Sequence, residues 1–363
     1  MNSIGRGSII EHPEHGRGVV TFVGDDYIGM CFDNGGNALL KRSSFERREE
    51  DEKPAQSMIE EVGIKRTDLP WPDSTFVFEG DDEPHYMGSH WSPFMNDVTE
   101  VLQRLPEVLP QALVQTGYGE HYPAPHEIPS DWPRGVIQTW PLRVKGMSLI
   151  VRIDESNKQL LLVSFFPFFA EGSQTALTLD RVDVWEGGCE AQISAKWGDA
   201  EVTFFDTQFL LNRAWYEASK RYDFVLAGLA YSARPATVFS MPVQQNPETL
   251  AWLGQLAADR GEDPPEEMNE INLTGMAMFL PVDSWGKDDY QFRAPIKQVR
   301  EFQNFLGQDG WRVRATVFRF GNEDADLDIV ITRRAWGGDA PPQVGQDIEG
   351  TLWLQGHLWY PHK

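Results

Sequence analysis

The stretch Trp311-Arg312-Val313-Arg314-Ala315-Thr316-Val317-Phe318-Arg319-Phe320 alternates apolar and polar residues with a period of two, the signature of a half-buried β-strand. The pattern predicts Trp311, Val313, Ala315 and Val317 for a core. Arg312, Arg314, Thr316, Phe318 and Phe320 fall on the other face, with Arg312, Arg314 and Arg319 exposed along one edge. After the turn at Gly321-Asn322-Glu323, the run Leu327-Asp328-Ile329-Val330-Ile331-Thr332 reads as its returning partner. The glycine-spaced segment from Val344 to Trp359 has the character of a strand that closes a barrel. Together these predict an OB-like β unit over 288–363, sharing its last strand with a neighbouring unit.

Outward from this unit, residues 85–245 read as a β-rich OB-like domain with an N-terminal helix. Phe94, Val98, Val101, Leu102, Leu105, Leu109 and Leu113 recur at three- and four-residue spacing, which predicts one amphipathic helix bent at Pro106 or Pro110. Tyr118 to Trp140, rich in proline and aromatics, reads as an irregular wrapping loop. Leu142 to Ile153 and Lys158 to Phe169 predict a hairpin; Asp180 to Trp197 and Asp199 to Phe205 predict another about Gly198. A polar-aromatic excursion then precedes the apolar strand around Phe224 to Tyr231, as a strand and its return do in an OB barrel. Residues 246–287 read as a short helix and an acidic connector.

Residues 1–47 alternate short apolar runs with turn chemistry at Pro13-Glu14-His15-Gly16, Gly24-Asp25-Asp26 and Asp33-Asn34-Gly35-Gly36, which predicts a small SH3-like barrel. The run His12-Pro13-Glu14-His15-Gly16-Arg17-Gly18-Val19-Val20, followed by Met30-Cys31-Phe32-Asp33 and Leu39-Leu40, resembles the Tudor/SH3-like module that closes PcrA/UvrD-type helicases. The resemblance covers about one eighth of the chain. It implies a module docking protein or nucleic acid, with His12, His15, Arg17, Phe22 and Tyr27 as its docking residues. It implies no helicase, because the sequence has no Gly-rich phosphate loop ending in Lys-Ser/Thr. Residues 48–84 carry 12 Asp+Glu against 4 Lys+Arg and read as an acidic linker.

The 363 residues, 41% hydrophobic and 12% aromatic, belong to a folded chain of two or three domains. The net charge of -23 disfavours a protein living by nonspecific phosphate contacts, although a local basic face can outweigh it. The two cysteines, Cys31 and Cys189, exclude a disulfide scaffold, cysteine zinc modules and iron–sulfur clusters, and fit a reducing cytoplasm. No window reaches the ~20 apolar residues of a membrane span, and no signal segment is evident at the N-terminus.

These features predict a mainly β, non-enzymatic binding or scaffold protein, with no cofactor and no metal. A protein partner would dock on the small barrel, and a second protein or single-stranded nucleic acid on the body through Arg312, Arg314, Arg319, Arg333 and Arg334. Aromatics interleaved with arginines suit base stacking and backbone binding. Two alternatives stand beside this. Asp326 and Asp328, two apart on a strand, share a side and suit Mg²⁺ for phosphoryl transfer; the chain's acidity suits an inhibitor imitating nucleic acid. The loose pairs His85/His90 and His121/His126 lack helical i, i+4 spacing and read as loop histidines.

Overall fold

The computed structural model describes the backbone of strands at 9–12, 16–23, 27–32, 37–41 and 76–79. It also describes 89–115, 124, 126–128, 130, 132–153, 159–185, 187–242, 251, 254–255, 257, 270–282 and 285–361. The described chain is mainly β, with two short helices.

Near the N-terminus, β1 (Ile9–His12), β2 (Gly16–Val23), β3 (Tyr27–Phe32) and β4 (Asn37–Lys41) form an antiparallel meander in chain order. The stretch expected as a linker contains a strand, β5 (Phe76–Glu79), whose Phe-Val-Phe run pairs parallel with β10 (Ser173–Trp185). Aromatic and β-branched residues suit an extended backbone even between acidic blocks.

The body is organised on two long strands, β13 (Arg221–Pro235) and β20 (Asp347–Pro361), paired antiparallel along their length. At one end, β13 also pairs with β10, which leads through β11 (Ala191–Trp197) and β12 (Ala200–Asp206) back to β20 at Gln355 and Gly356. At its middle, Ala227 to Leu229, β13 pairs with β19 (Glu323–Thr332). The path then runs through β18 (Gln308–Phe320) and β17 (Asp289–Phe305) back to the first half of β20. Two five-stranded rings thus share one pair of strands. Gly350 and Gly356 make the sharing possible. A Cβ at Gly350 would lie 2.0 Å from the Ser232 carbonyl oxygen, and one at Gly356 2.6 Å from the Phe204 ring.

Alternate residues of all these strands point inward, joining Leu177, Ile193, Phe204, Phe224, Phe292, Val313, Leu327, Ile329 and Leu352 in one core that runs through both rings. Each such side chain contributes about 1.5–3 kcal/mol on burial. Trp311, Val313, Ala315 and Val317 are all in it. Phe318 and Phe320 also pack against it, contrary to the alternation. The register shifts between Thr316 and Phe318, a bulge that switches which parity faces inward.

Outside the rings lies a second antiparallel sheet: β6 (Leu113–Val114), β7 (Arg134–Pro141), β8 (Lys145–Ile153) and β9 (Leu160–Phe169). Its Ile137, Ile150, Phe166 and Phe168 face the rings. Met147, Leu149, Val151 and Phe165 face α1 (Thr99–Val108) through Val101, Leu105 and Val108. Several sequence expectations change here. The helix is ten residues rather than the whole of 94–115, flanked by 3-10 turns at Ser89–Trp91 and Leu109–Gln111; Pro106 lies inside it. Arg134 to Trp140, expected irregular, is strand, because its proline-free Gly-Val-Ile-Gln-Thr run has β character. The hairpin expected over 142–169 is present as β8 and β9, and Pro167 is tolerated because β9 is an edge. Asp180 to Trp197 is split between β10 and β11 by a turn where Gly188 takes φ 66°.

After β12, α2 (Phe209–Asn212) and a 3-10 turn return the chain to β13. β14 (Ser240–Pro242) pairs with β15 (Glu270–Asn272), and β16 (Met278–Pro281) adds to β17. The helix expected in 246–268 is described only at the helical positions 251, 254, 255 and 257. No helix among the described residues is long and apolar enough to cross a membrane.

Candidate binding site

The antiparallel register of β18 on β19 sets Arg314 opposite Asp328 and Thr316 opposite Asp326, bringing the expected arginines and aspartates onto one face. Asp328 accepts from both arginines: its Oδ2 lies 2.8 Å from Arg312 Nη2 and 2.8 Å from Arg314 Nη2, its Oδ1 3.1 Å from Arg314 Nε. Burial raises the Asp328 pKa, but the donations from Arg314 and Arg312 outweigh it and hold the carboxyl below its ordinary value. Arg312 also donates to Glu171 at 2.9 Å and is buried, not exposed at the edge as its sequence position suggested. With a carboxylate on each side, its guanidinium is satisfied away from water. Glu171 is itself raised by burial, against the pull of Arg312 and Lys145.

The remaining arginines have separate surroundings. Arg319 pairs with Asp324 and donates to the Gly275 carbonyl. Arg333 lies over the Trp311 ring, 4.8 Å from its centroid. Arg334 donates to the Ser92 carbonyl and to Asn96, tying the segment before α1 to the end of β19. Asp326, the other half of the metal-binding alternative, accepts from Lys297 at 2.8 Å and from the Thr316 hydroxyl at 2.9 Å. Among the described residues, no group of three or more His, Cys, Asp and Glu is placed to hold a metal ion. Asp326 and Asp328 do share a side of the strand, with their oxygens engaged by these cations and hydroxyl.

The docking residues of the N-terminal unit lie on its strands: His12 on β1, Arg17 and Phe22 on β2, Tyr27 on β3. His15 lies outside the described residues, as do His85 and His121. His90 stacks on Trp353, with ring centroids 3.9 Å apart, and its Nδ1 is 2.7 Å from the Tyr231 hydroxyl. That hydroxyl donates to Asp289 at 2.5 Å, so a His–Tyr–Asp chain pins the segment before α1 to the rings.

Two features had no clear signal in the sequence. The first is a run of exposed apolar side chains. Val238, Phe239, Met241, Met276 and Leu280 are between 36% and 52% exposed. β14 and β15 pair, the Leu273 amide donates to the Phe239 carbonyl, and the Phe239 ring lies against Arg293, which is opposite Met278. These contacts bring β14, with Phe239 beside it, close to β16 and β17. The second is a cleft of about 460 Å³ between α1, the β7–β8 edge and the tip of the β17–β18 hairpin. Trp91, Phe94, Met95, Val108, Trp140, Met147 and Leu306 line it, with Glu100 and Arg104 at its rim. The hairpin tip takes a tight left-handed path, with Asn304 at φ 48° and Leu306 at φ 51°, a conformation costly for leucine. The tip is held by Phe305, fully buried against Phe94, and by the Gln308 amide donating to the Phe94 carbonyl.

No family model, curated protein or solved structure matches this chain.

Proposed function

We infer that this is a non-enzymatic binding or scaffold protein, with an SH3/Tudor-like N-terminal unit docking one protein and an OB-like body engaging a second protein. The observation that carries the reading is the exposed apolar flank of Val238, Phe239, Met241, Met276 and Leu280. Large apolar side chains exposed in neighbouring strands are where proteins meet other proteins. The choice of a protein over single-stranded nucleic acid for the body is supported by the charged face. Arg312 and Arg314 share Asp328, and Arg319 pairs with Asp324, so their charge is balanced inside the molecule. A phosphate backbone would have to displace those carboxylates, in a chain of net charge -23.

The test is chemical cross-linking of the tagged full-length protein in lysate, with and without nuclease. The wild type is compared with a Phe239→Ser, Leu280→Ser variant and with Arg333→Ala, Arg334→Ala. The expected result is a nuclease-resistant protein partner cross-linked near 238–241 and 276–280 and lost in the first variant alone. Recovery of nucleic acid that depends on Arg333 and Arg334 overturns the choice of a protein for the body.

A further inference from the structure

The first ring is held shut by unequal junctions. β10 pairs with β11 over 178–184 and with β13 over 173–178, β11 pairs with β12 over 192–197, and β13 pairs with β20 along its length. β12 meets β20 only where Phe205 is paired with Gln355 and Asp206 with Gly356. The Thr207 amide and hydroxyl then donate to the Gly356 carbonyl at 2.9 and 3.0 Å.

This shortest junction holds a carboxyl with no counter-charge. Asp206 is 1% exposed; its Oδ2 accepts from the Tyr216 hydroxyl at 2.5 Å and its Oδ1 from the Gln208 amide at 2.9 Å. Asp206 enters no ion pair among the described residues. Two neutral donors do not offset the lost hydration of a carboxylate, and burial pushes the group up from 3.8 to about 7. The charged groups of the neighbouring elements are engaged elsewhere. His357 follows Gly356 on β20, and Glu190 precedes the inward-facing Ala191 of β11, so both point to the side of the sheet away from Asp206. Arg213, after α2, donates to the Gly188 and Pro133 carbonyls, Glu217 lies 3.6 Å from Lys220, and Asp223 on β13 accepts from Gln174.

We propose that the β12–β20 junction is a pH-operated latch, in which ionisation of Asp206 parts β12 from β20 and admits water to that end of the first ring while the second ring stays closed. Protonated, the carboxyl is neutral and keeps its place beside Tyr216. Ionised, it is stabilised by reaching water, and the nearest route is the two-residue junction on which it sits. The latch is independent of the apolar flank, so either can fail alone.

Hydrogen exchange of the full-length protein from pH 5 to pH 8, read by mass spectrometry and corrected for the base-catalysed rise common to all amides, tests the latch. The Thr207 and Gln208 amides bond Gly356 and Asp206, so a peptide spanning 205–212 reports the opening. Its exchange should rise by about tenfold per pH unit from pH 5 and level off above pH 7, while peptides from β18 and β19 keep theirs. Asp206→Asn keeps the shape without the charge and should flatten the rise. Tyr216→Phe removes a donor that favours the ionised form and should move the rise to higher pH. The latch is overturned if the peptide shows no rise, if the rise survives in Asp206→Asn, or if all peptides rise together, which makes the event global unfolding. Should Asp206→Asn fail to fold, a rise at unchanged pH in Tyr216→Phe overturns the latch by itself.

Discussion

The β18–β19 face and the cleft under α1 both hold arginines beside aromatic residues, and they use them in opposite ways. On the face, register does the placing: Arg314 is opposite Asp328 in the ladder, and Arg312 reaches both Asp328 and Glu171. In the cleft, Arg104 sits on a helix whose next turn toward the N-terminus offers Glu100, but it lies on Trp140 instead. The difference teaches that basic residues in an alternating strand are poor evidence of an anion site, because the neighbouring strand can supply the counter-charge. Arg104, which enters no ion pair among the described residues, stands where the sequence shows only an amphipathic helix.

The largest expected effect comes from breaking the paired side of this comparison. Asp328→Ala takes from Arg312, 7% exposed, the buried carboxylate that it shares with Arg314. Removing one partner of a buried pair costs about 3–5 kcal/mol, read as a lowered urea midpoint at unchanged slope. A loss under about 1 kcal/mol would mean that these pairs are worth no more than surface pairs, and the contrast with Arg104 would collapse.

Next in size are two buried ionisable groups that enter no ion pair among the described residues and so sharpen the comparison. Burial pushes the Asp206 carboxyl up from 3.8 to about 7, against hydrogen bonds from Tyr216 and the Gln208 amide; burial pushes His357 down from 6.5 to about 4. They adjoin, since Asp206 is paired with Gly356 on β20. For Asp206 the folded state binds the extra proton, so its contribution to stability falls as pH rises from about 4 to about 7. For His357 the unfolded state binds it, so its contribution falls as pH drops from about 6.5 to about 4. Each is worth roughly 3–4 kcal/mol across its window, and the two nearly cancel. Asp206→Asn should therefore steepen the loss of stability on acidification between pH 7 and 4. His357→Gln should reverse it, giving a protein more stable at pH 5 than at pH 8. Parallel pH profiles for the wild type and both variants would refute the burial of both groups.

The same contrast marks what was legible in the sequence. Trp311, Val313, Ala315 and Val317 lie in the core as their alternation predicts, because a period of two is a local property of a strand. Phe318 and Phe320 were not, since a bulge depends on how β19 counts against β18. The Arg312–Asp328 pairing follows from a register 16 residues apart in sequence, which alternation alone does not set. The cleft could not be read at all. Trp91, Arg104, Trp140 and Leu306 converge from four elements, and the signal available locally was limited to a tight turn at Asn304 to Gly307.

A smaller effect separates exposed from buried pairing. Lys297 and Arg319 both bond Asp324 and hold its carboxyl below its ordinary value, but the side chains are 36–44% exposed. Water screens such pairs and side-chain entropy opposes them, so Arg319→Ala should cost less than about 1 kcal/mol, and less still at high salt.

The smallest effect on stability belongs to Arg104→Gln. Arg104 has no ion pair among the described residues to lose, and glutamine keeps much of the aliphatic stem lying along the cleft rim; what disappears is an exposed cation–π contact with Trp140. The urea midpoint should move by no more than about 0.5 kcal/mol equivalent. Set beside Asp328→Ala, this small shift distinguishes an arginine that holds the fold together from one held in place by it. A loss above about 1.5 kcal/mol would put Arg104 with the structural arginines.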